Sequence, residues 1–180
     1  MKTIGAILML MIALPPLADG RRATDAAASK SSRPRLDNPS PSAEALVQRF
    51  LTALDNKDGE ALRRLRTTES EYKNIIMPGS VPPGSPPRHY RDDVSEYFWS
   101  ILNTKSAYYE QYLLETAGGR GPTKVKRVSY NKGTKTYADY TAYKQVRLVV
   151  EDGSGSERDI WTGSIANIEG QYKFISFIRD

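Results

Sequence analysis

Apolar residues recur along this chain first at helical and then at strand spacing. Ala43, Leu46, Val47, Phe50, Leu51 and Leu54 fall at i, i+3, i+4, i+7, i+8 and i+11, the buried stripe of a helix, with Ser40 as a cap and Pro41 at the first helical position. Asp55-Asn56-Lys57-Asp58 interrupts the stripe, and Asp58 is placed to cap a shorter second helix that turns Ala61, Leu62 and Leu65 inward. Thr68-Glu69-Ser70-Glu71 has the spacing of a capping box. It predicts a further turn or two through Tyr72, Ile75 and Ile76, stopping at Met77-Pro78-Gly79. Five prolines, two glycines and two serines between Pro78 and Pro87 resist helix and strand alike, which predicts a stiff loop suited to a rim or lid. Asp92 and Asp93 suit the positive end of a long third helix whose stripe runs Val94, Tyr97, Phe98, Ile101, Leu102, Tyr108, Tyr109, Tyr112 and Leu113. Lys105 occupies an apolar place in that stripe, so a bend or break is expected near Asn103 to Ser106. Gly118-Gly119 ends the element.

Strand character follows Pro122. Lys124 to Tyr130, Tyr137 to Val150, Arg158 to Ile168 and Gln171 to Ile178 are separated by Asn131-Lys132-Gly133, Asp152-Gly153-Ser154-Gly155 and Glu169-Gly170, all turn formers. Four strands with short turns predict an antiparallel meander, the second strand long enough to need a bend or bulge. Glu169-Gly170 predicts a two-residue hairpin. The last strand is apolar on both sides, with Tyr172, Phe174, Ser176 and Ile178 on one face and Lys173, Ile175, Phe177 and Arg179 on the other, the pattern of a strand interior to a sheet. Helices first and strands last predict an α+β class: N-terminal helices packed in the concave face of a curved antiparallel sheet of about four strands.

This order resembles the nuclear transport factor 2-like superfamily, the cystatin-like α+β cone that includes SnoaL-like proteins. The likeness covers about residues 42 to 180. It rests on the helix Ala43 to Leu54, the polar turn Asp55 to Asp58 and the closing pattern Ile165-Ala166-Asn167-Ile168-Glu169-Gly170-Gln171-Tyr172-Lys173-Phe174-Ile175. The resemblance implies a pocket between sheet and helices, acid–base chemistry without a metal in the enzymatic members, and homodimers paired through outer sheet faces.

Composition changes the picture at the N-terminus. Lys2, the uncharged apolar run Ile4 to Leu14, Pro15-Pro16 and the small residues up to Gly20 predict a signal peptide over residues 1–20, with an uncleaved anchor as the alternative. A periplasmic or secreted protein is expected. The absence of cysteine excludes disulfides, thiolate metal sites, a cysteine nucleophile and a lipoprotein anchor. Residues 21–41 hold five basic against two acidic side chains among Ala, Ser and Pro, which predicts a disordered basic linker before a domain at 42–180. That linker carries +3 of the formal +5, so the domain is nearly neutral and nucleic-acid binding is not expected.

Candidate chemistry is sparse. His89, the single histidine, sits in Arg88-His89-Tyr90-Arg91-Asp92-Asp93 and would serve as a general base beside a carboxylate, or as an exposed residue near a helix N-terminus. Asp139, on an expected strand with Tyr137, Thr141 and Tyr143, would suit proton abstraction if that face lines the cone; on the opposite face Ala138, Tyr140, Ala142, Val146 and Leu148 are equally suited to the core. Tyr97, Tyr140, Arg147 and Trp161 are candidate ligand-binding residues, and His89, Asp139 and Tyr143 candidate catalytic ones. No cofactor, metal or phosphate-loop motif appears. Two functions remain open: noncatalytic binding of a small apolar ligand or a protein partner, and a cofactor-free isomerase, dehydratase or hydrolase.

Overall fold

The computed structural model describes residues 35–179; the expected signal peptide and the linker as far as residue 34 lie outside them. The fold is α+β, with helices packed against antiparallel sheet. Helix α1 (Ala43–Asp55) starts at Ser42, whose Oγ accepts from the Ala45 amide at 3.1 Å. Ser40 instead exchanges two backbone hydrogen bonds with Tyr172, and Leu36 is buried. Helix α2 (Gly59–Arg64) is capped by Asp58 as its sequence predicts. The Thr68 capping box is present on both sides and opens a continuous helical stretch: α3 (Glu69–Glu71), a π turn (Tyr72–Ile76) and α4 (Met77–Gly79).

Helix α5 (Asp92–Ala117) runs through Asn103 to Ser106 unbroken, contrary to the expected bend. The stripe that spacing suggests is divided between two faces, with Leu113 buried, Val94, Leu102 and Tyr109 half-buried, and the other five members exposed. Ser95, Trp99, Ser106, Glu110, Leu113 and Ala117 face the body of the protein, while Tyr97, Phe98, Ile101, Tyr108 and Tyr112 face outward with Lys105 among them. A lysine in a solvent-facing row needs no bend.

The strands are β1 (Lys124–Tyr130), β2 (Thr134–Thr136), β3 (Thr141–Tyr143), β4 (Val146–Glu151), β5 (Glu157–Trp161), β6 (Ile165–Ile168) and β7 (Gln171–Phe174). They form sheets ordered β1-β4-β5 and β2-β3-β6-β7, antiparallel throughout. The four expected strands are thus longer runs creased at one level. Asn131-Lys132-Gly133 is a crease between β1 and β2, not a hairpin turn: it pairs with Lys144 and Gln145, and Gln145 takes a φ of 56°. The hairpin lies at Tyr137 to Tyr140, where the Tyr137 amide donates to the Tyr140 carbonyl at 2.8 Å. Glu169 and Gly170, at φ 50° and 83°, form the expected two-residue turn.

The last strand stops at Phe174, and β7 is at the edge of its sheet, not inside it. Its edge is nonetheless occupied: Ser40 pairs with Tyr172, the Phe174 amide donates to the Leu65 carbonyl and the Thr67 amide to the Phe174 carbonyl. Covering both faces as well as the edge explains why the strand reads as interior. On one face Phe50 of α1 packs against Phe174 and Phe177, ring centroids 5.2 and 5.7 Å away, within a core that includes Leu46, Val146, Leu148 and Ile165. On the other, Ala142 and Ala166 leave room for Ile76 and Leu36.

Candidate functional site

The second face also holds an ion pair. Lys173 and Glu71 are 1% and 5% exposed, and Lys173 Nζ reaches Glu71 Oε1 and Oε2 at 3.1 and 2.8 Å. Glu71 additionally accepts from the Asp37 amide (2.6 Å) and from the Thr68 amide (2.7 Å). Four hydrogen bonds from three donor groups on one carboxylate lock the 69–79 stretch to β7, and the arrangement leaves no acceptor position for a substrate.

That stretch makes one wall of an open groove whose other wall is the start of α5. Lys73 bridges the two walls, bonding Glu69 at 2.6 Å and also Glu96, and both contacts raise its pKa, the Glu69 hydrogen bond most. The loop between α4 and α5 closes one end. It is fastened by the Arg88 amide on the Pro78 carbonyl (2.9 Å) and by the Ala138 amide on the Val81 carbonyl (3.0 Å), so it forms a rim as its proline content predicts.

Two adjoining clefts share His89 and Tyr90. One, about 650 Å³, has a floor of Tyr72, Met77, Val94 and Phe98 and a rim of Arg88, His89 and Arg91, with no carboxylate in its lining. The other, about 820 Å³, is polar and includes Lys73, Asp92, Asp93 and Glu96 beside His89. The Arg88 guanidinium lies 5.1 Å from the Tyr90 ring centroid, whereas Arg91 is held by its own neighbour Asp93 at 2.7 Å. Tyr72 forms the cleft wall with Trp99 behind it, centroids 5.7 Å apart, and burial raises the Tyr72 pKa.

The sequence-derived candidates are dispersed. His89 is exposed at the junction of the clefts. Asp139 is exposed at the hairpin tip against Gly79, off any strand face, so it does not share a strand with Tyr143. Tyr140 is buried; its hydroxyl lies 2.7 Å from Ser80 Oγ, and because Ser80 Oγ itself donates to the Ile76 carbonyl, Tyr140 is the donor. Burial pushes its pKa up to about 12. Tyr143 is half-buried between Tyr130 and Tyr172, centroids 4.9 and 6.4 Å away. Arg147 donates to Asp159 at 2.6 Å and lies 5.5 Å from Trp161, which also receives Arg179 at 4.4 Å. These cross-strand contacts occupy Arg147 and Trp161 on the sheet. Tyr97 is on the outward face of α5.

Of the proposed residues, then, only His89 and its neighbour Asp92 line a common cleft. Sequence reasoning missed the apolar floor, although Val94 and Phe98, four residues apart on a helix that follows a proline loop, were the available signal. The interior that would hold a cone ligand is filled by Phe50, Phe174 and Phe177, each 0% exposed. No group of three His, Cys, Asp or Glu side chains suited to a metal ion occurs among the described residues, nor is any helix there long and apolar enough to cross a membrane. Comparison with protein-family models, curated proteins and solved structures finds no match for this chain.

Proposed function

We propose that this chain is an exported, noncatalytic binding domain of the nuclear transport factor 2-like kind, and that it takes an amphipathic ligand, with an apolar body and an anionic head, into the cleft of about 650 Å³. The observation that carries this reading is the pairing of an apolar floor with a cationic rim. Tyr72, Met77, Val94 and Phe98 suit a hydrocarbon body, and Arg88, stacked on Tyr90, suits a carboxylate or phosphate head. Helix-before-sheet order and creased strands support the superfamily assignment, and the apolar run before Pro15 supports export.

The test is mass spectrometry of molecules retained by the chain purified from its native host, followed by fluorescence titration with a medium-chain fatty acid and the matching alcohol. The acid binds more tightly than the alcohol, and Arg88→Ala removes that preference, a change of about 10- to 100-fold for one charge-assisted hydrogen bond. Equal affinity for acid and alcohol, or a preference that survives Arg88→Ala, sinks the proposal.

One observation favours acid–base catalysis as the second reading: His89 and Asp92 line the same polar cleft. In that case His89→Ala abolishes turnover of a retained carbonyl substrate without weakening its binding. An unchanged rate removes the reading.

A further inference from the structure

Helix α5 carries apolar side chains on both faces: Trp99, Leu113 and Ala117 are buried against its own domain beside several polar groups, and a second apolar row faces outward. Facing inward, Arg66 Nη2 donates to Asn103 at 2.6 Å, Arg63 reaches Glu110 at 3.1 Å, and Ser106 is fully buried. Facing outward, Tyr97, Phe98, Ile101, Tyr108 and Tyr112 are 62, 46, 36, 70 and 50% exposed. At 3.6 residues per turn these five fall within an arc of about 100°, in a row about 22 Å long from Tyr97 to Tyr112. The solvent face of an amphipathic helix in a solitary domain is ordinarily polar.

We infer that this face pairs with the same face of a second copy of the chain, antiparallel, about a two-fold axis between Thr104 and Lys105. Two observations select this occupant. The first is spacing: Tyr97 and Tyr112 are equidistant from that midpoint, and so are Ile101 and Tyr108. A two-fold axis there sets Tyr97 against Tyr112 of the partner subunit and Ile101 against Tyr108 of the partner subunit, so one row is complementary to itself. The second is area. With about 200 Å² for a whole side chain of this size, the five exposures amount to about 500 Å² per copy, or about 1,000 Å² for the pair, the lower limit for a biological interface before flanking residues are counted. A patch of about 500 Å² is at the upper end of the largest apolar patches that monomers leave in water, and patches of that size are often functional.

Pairing through the sheet, as the family resemblance implies, meets a less favourable surface. The outer face of β1-β4-β5 presents Arg127, Arg147 and Asp159 in adjacent rows, with only Val149 and Trp161 among them. Lys105 flanks the α5 axis in both copies. Its stem covers apolar surface while the ammonium stays in water, and one such residue in an apolar seam fixes register at some cost in affinity.

Sedimentation equilibrium of the full chain tests the pairing, with Tyr108→Glu as the disrupting variant at the most exposed position of the row. The chain sediments as a dimer at concentrations of about 100 µM, and Tyr108→Glu raises the dissociation constant about 30-fold or more, the effect of losing one central aromatic contact. Circular dichroism of the variant stays native because the side chain touches solvent in the monomer. Register is read by oxidation, which the absence of native cysteine makes clean. Tyr97→Cys chains and Tyr112→Cys chains cross-link when mixed but not when separate, since like positions lie about 22 Å apart across the axis, far beyond disulfide reach. A monomer, whatever lipid vesicle or other protein it binds, overturns the inference. A dimer indifferent to Tyr108→Glu, or Tyr97→Cys chains that link to themselves, overturns it equally.

Discussion

Replacing Lys173 by Met keeps the volume of its stem and deletes its charge, which isolates what the buried pair with Glu71 contributes. Glu71 then remains 5% exposed with the Asp37 and Thr68 amides as its donors and without the cation. Breaking a buried pair from one side costs about 3–5 kcal/mol, and the two remaining amides put Lys173→Met near 3. Glu71→Leu removes the acceptor for the ammonium and for both amides together, so it belongs near the top of the range, about 5 kcal/mol. The double variant leaves no buried charge, only two amides without an acceptor, and costs about 2–4 kcal/mol, far below the sum of the single changes. Urea unfolding followed through the fluorescence of Trp99 and Trp161 measures all three. If Lys173→Met costs less than about 1 kcal/mol, or if the two changes are additive, the pair does not hold the 69–79 stretch against β7 as argued.

Three further perturbations probe other parts of the fold. Phe50→Ala empties the space between Phe174 and Phe177 and lowers stability by about 3–5 kcal/mol in the same urea assay. Tyr140, with its pKa pushed up to about 12 by burial against 10.0 for the free group, keeps its proton in the folded state where the unfolded chain has lost it. Its contribution is therefore complete below pH 10 and is lost as pH rises from about 10 to about 12, by at most about 2–3 kcal/mol; Tyr140→Phe flattens that alkaline limb, and a limb of unchanged slope contradicts the assignment. At Gly79 an added Cβ lies 2.7 Å from Asp139 Oδ2 and 2.8 Å from its Cβ, so Gly79→Ala pushes the hairpin tip away and costs about 1–3 kcal/mol, read as a lower melting temperature. A melting temperature equal to that of the parent shows that the tip yields freely.

Elements set by short-range chemistry were legible from the chain alone. The stripe of α1, the Asp58 cap, the Thr68–Glu71 capping box and the Glu169-Gly170 turn each depend on residues a few positions apart, and each is where its spacing puts it. Partners distant in sequence decided the rest. Asn131-Lys132-Gly133 has the composition of a turn, but the facing Lys144-Gln145 takes up its extra length as a crease, which moves the hairpin to Tyr137–Tyr140 and carries Asp139 to the tip. The stripe of α5 is broader than one face: Leu113 turns inward, on the side where Arg63 and Arg66 bond Glu110 and Asn103, while Tyr97, Phe98, Ile101, Tyr108 and Tyr112 turn outward. Of the candidate site, His89 beside a stiff loop was readable, whereas the floor beneath it combines Tyr72 and Met77 with Val94 and Phe98 from a separate helix, a pairing no local spacing announces. The partner of Lys173 was not readable because its counter-charge lies about a hundred positions upstream, inside what reads as a capping box.

The bond between Ser40 and Tyr172 joins points more than 130 residues apart, and Phe50 waits on Phe174 and Phe177 across a similar span. During synthesis the hairpins from β1 to β6 have their partners close at hand, but Phe50 of α1 is made early and receives Phe174 and Phe177 last. Folding of such a chain is governed by closure of its two ends and is slow for its size. A chain cut after Ile168 would lose β7, Phe174 and Phe177 together and leave Phe50 of α1 without the two rings it packs on. The expected product of such a truncation is an open polypeptide prone to capture by chaperones, not a smaller version of the same domain.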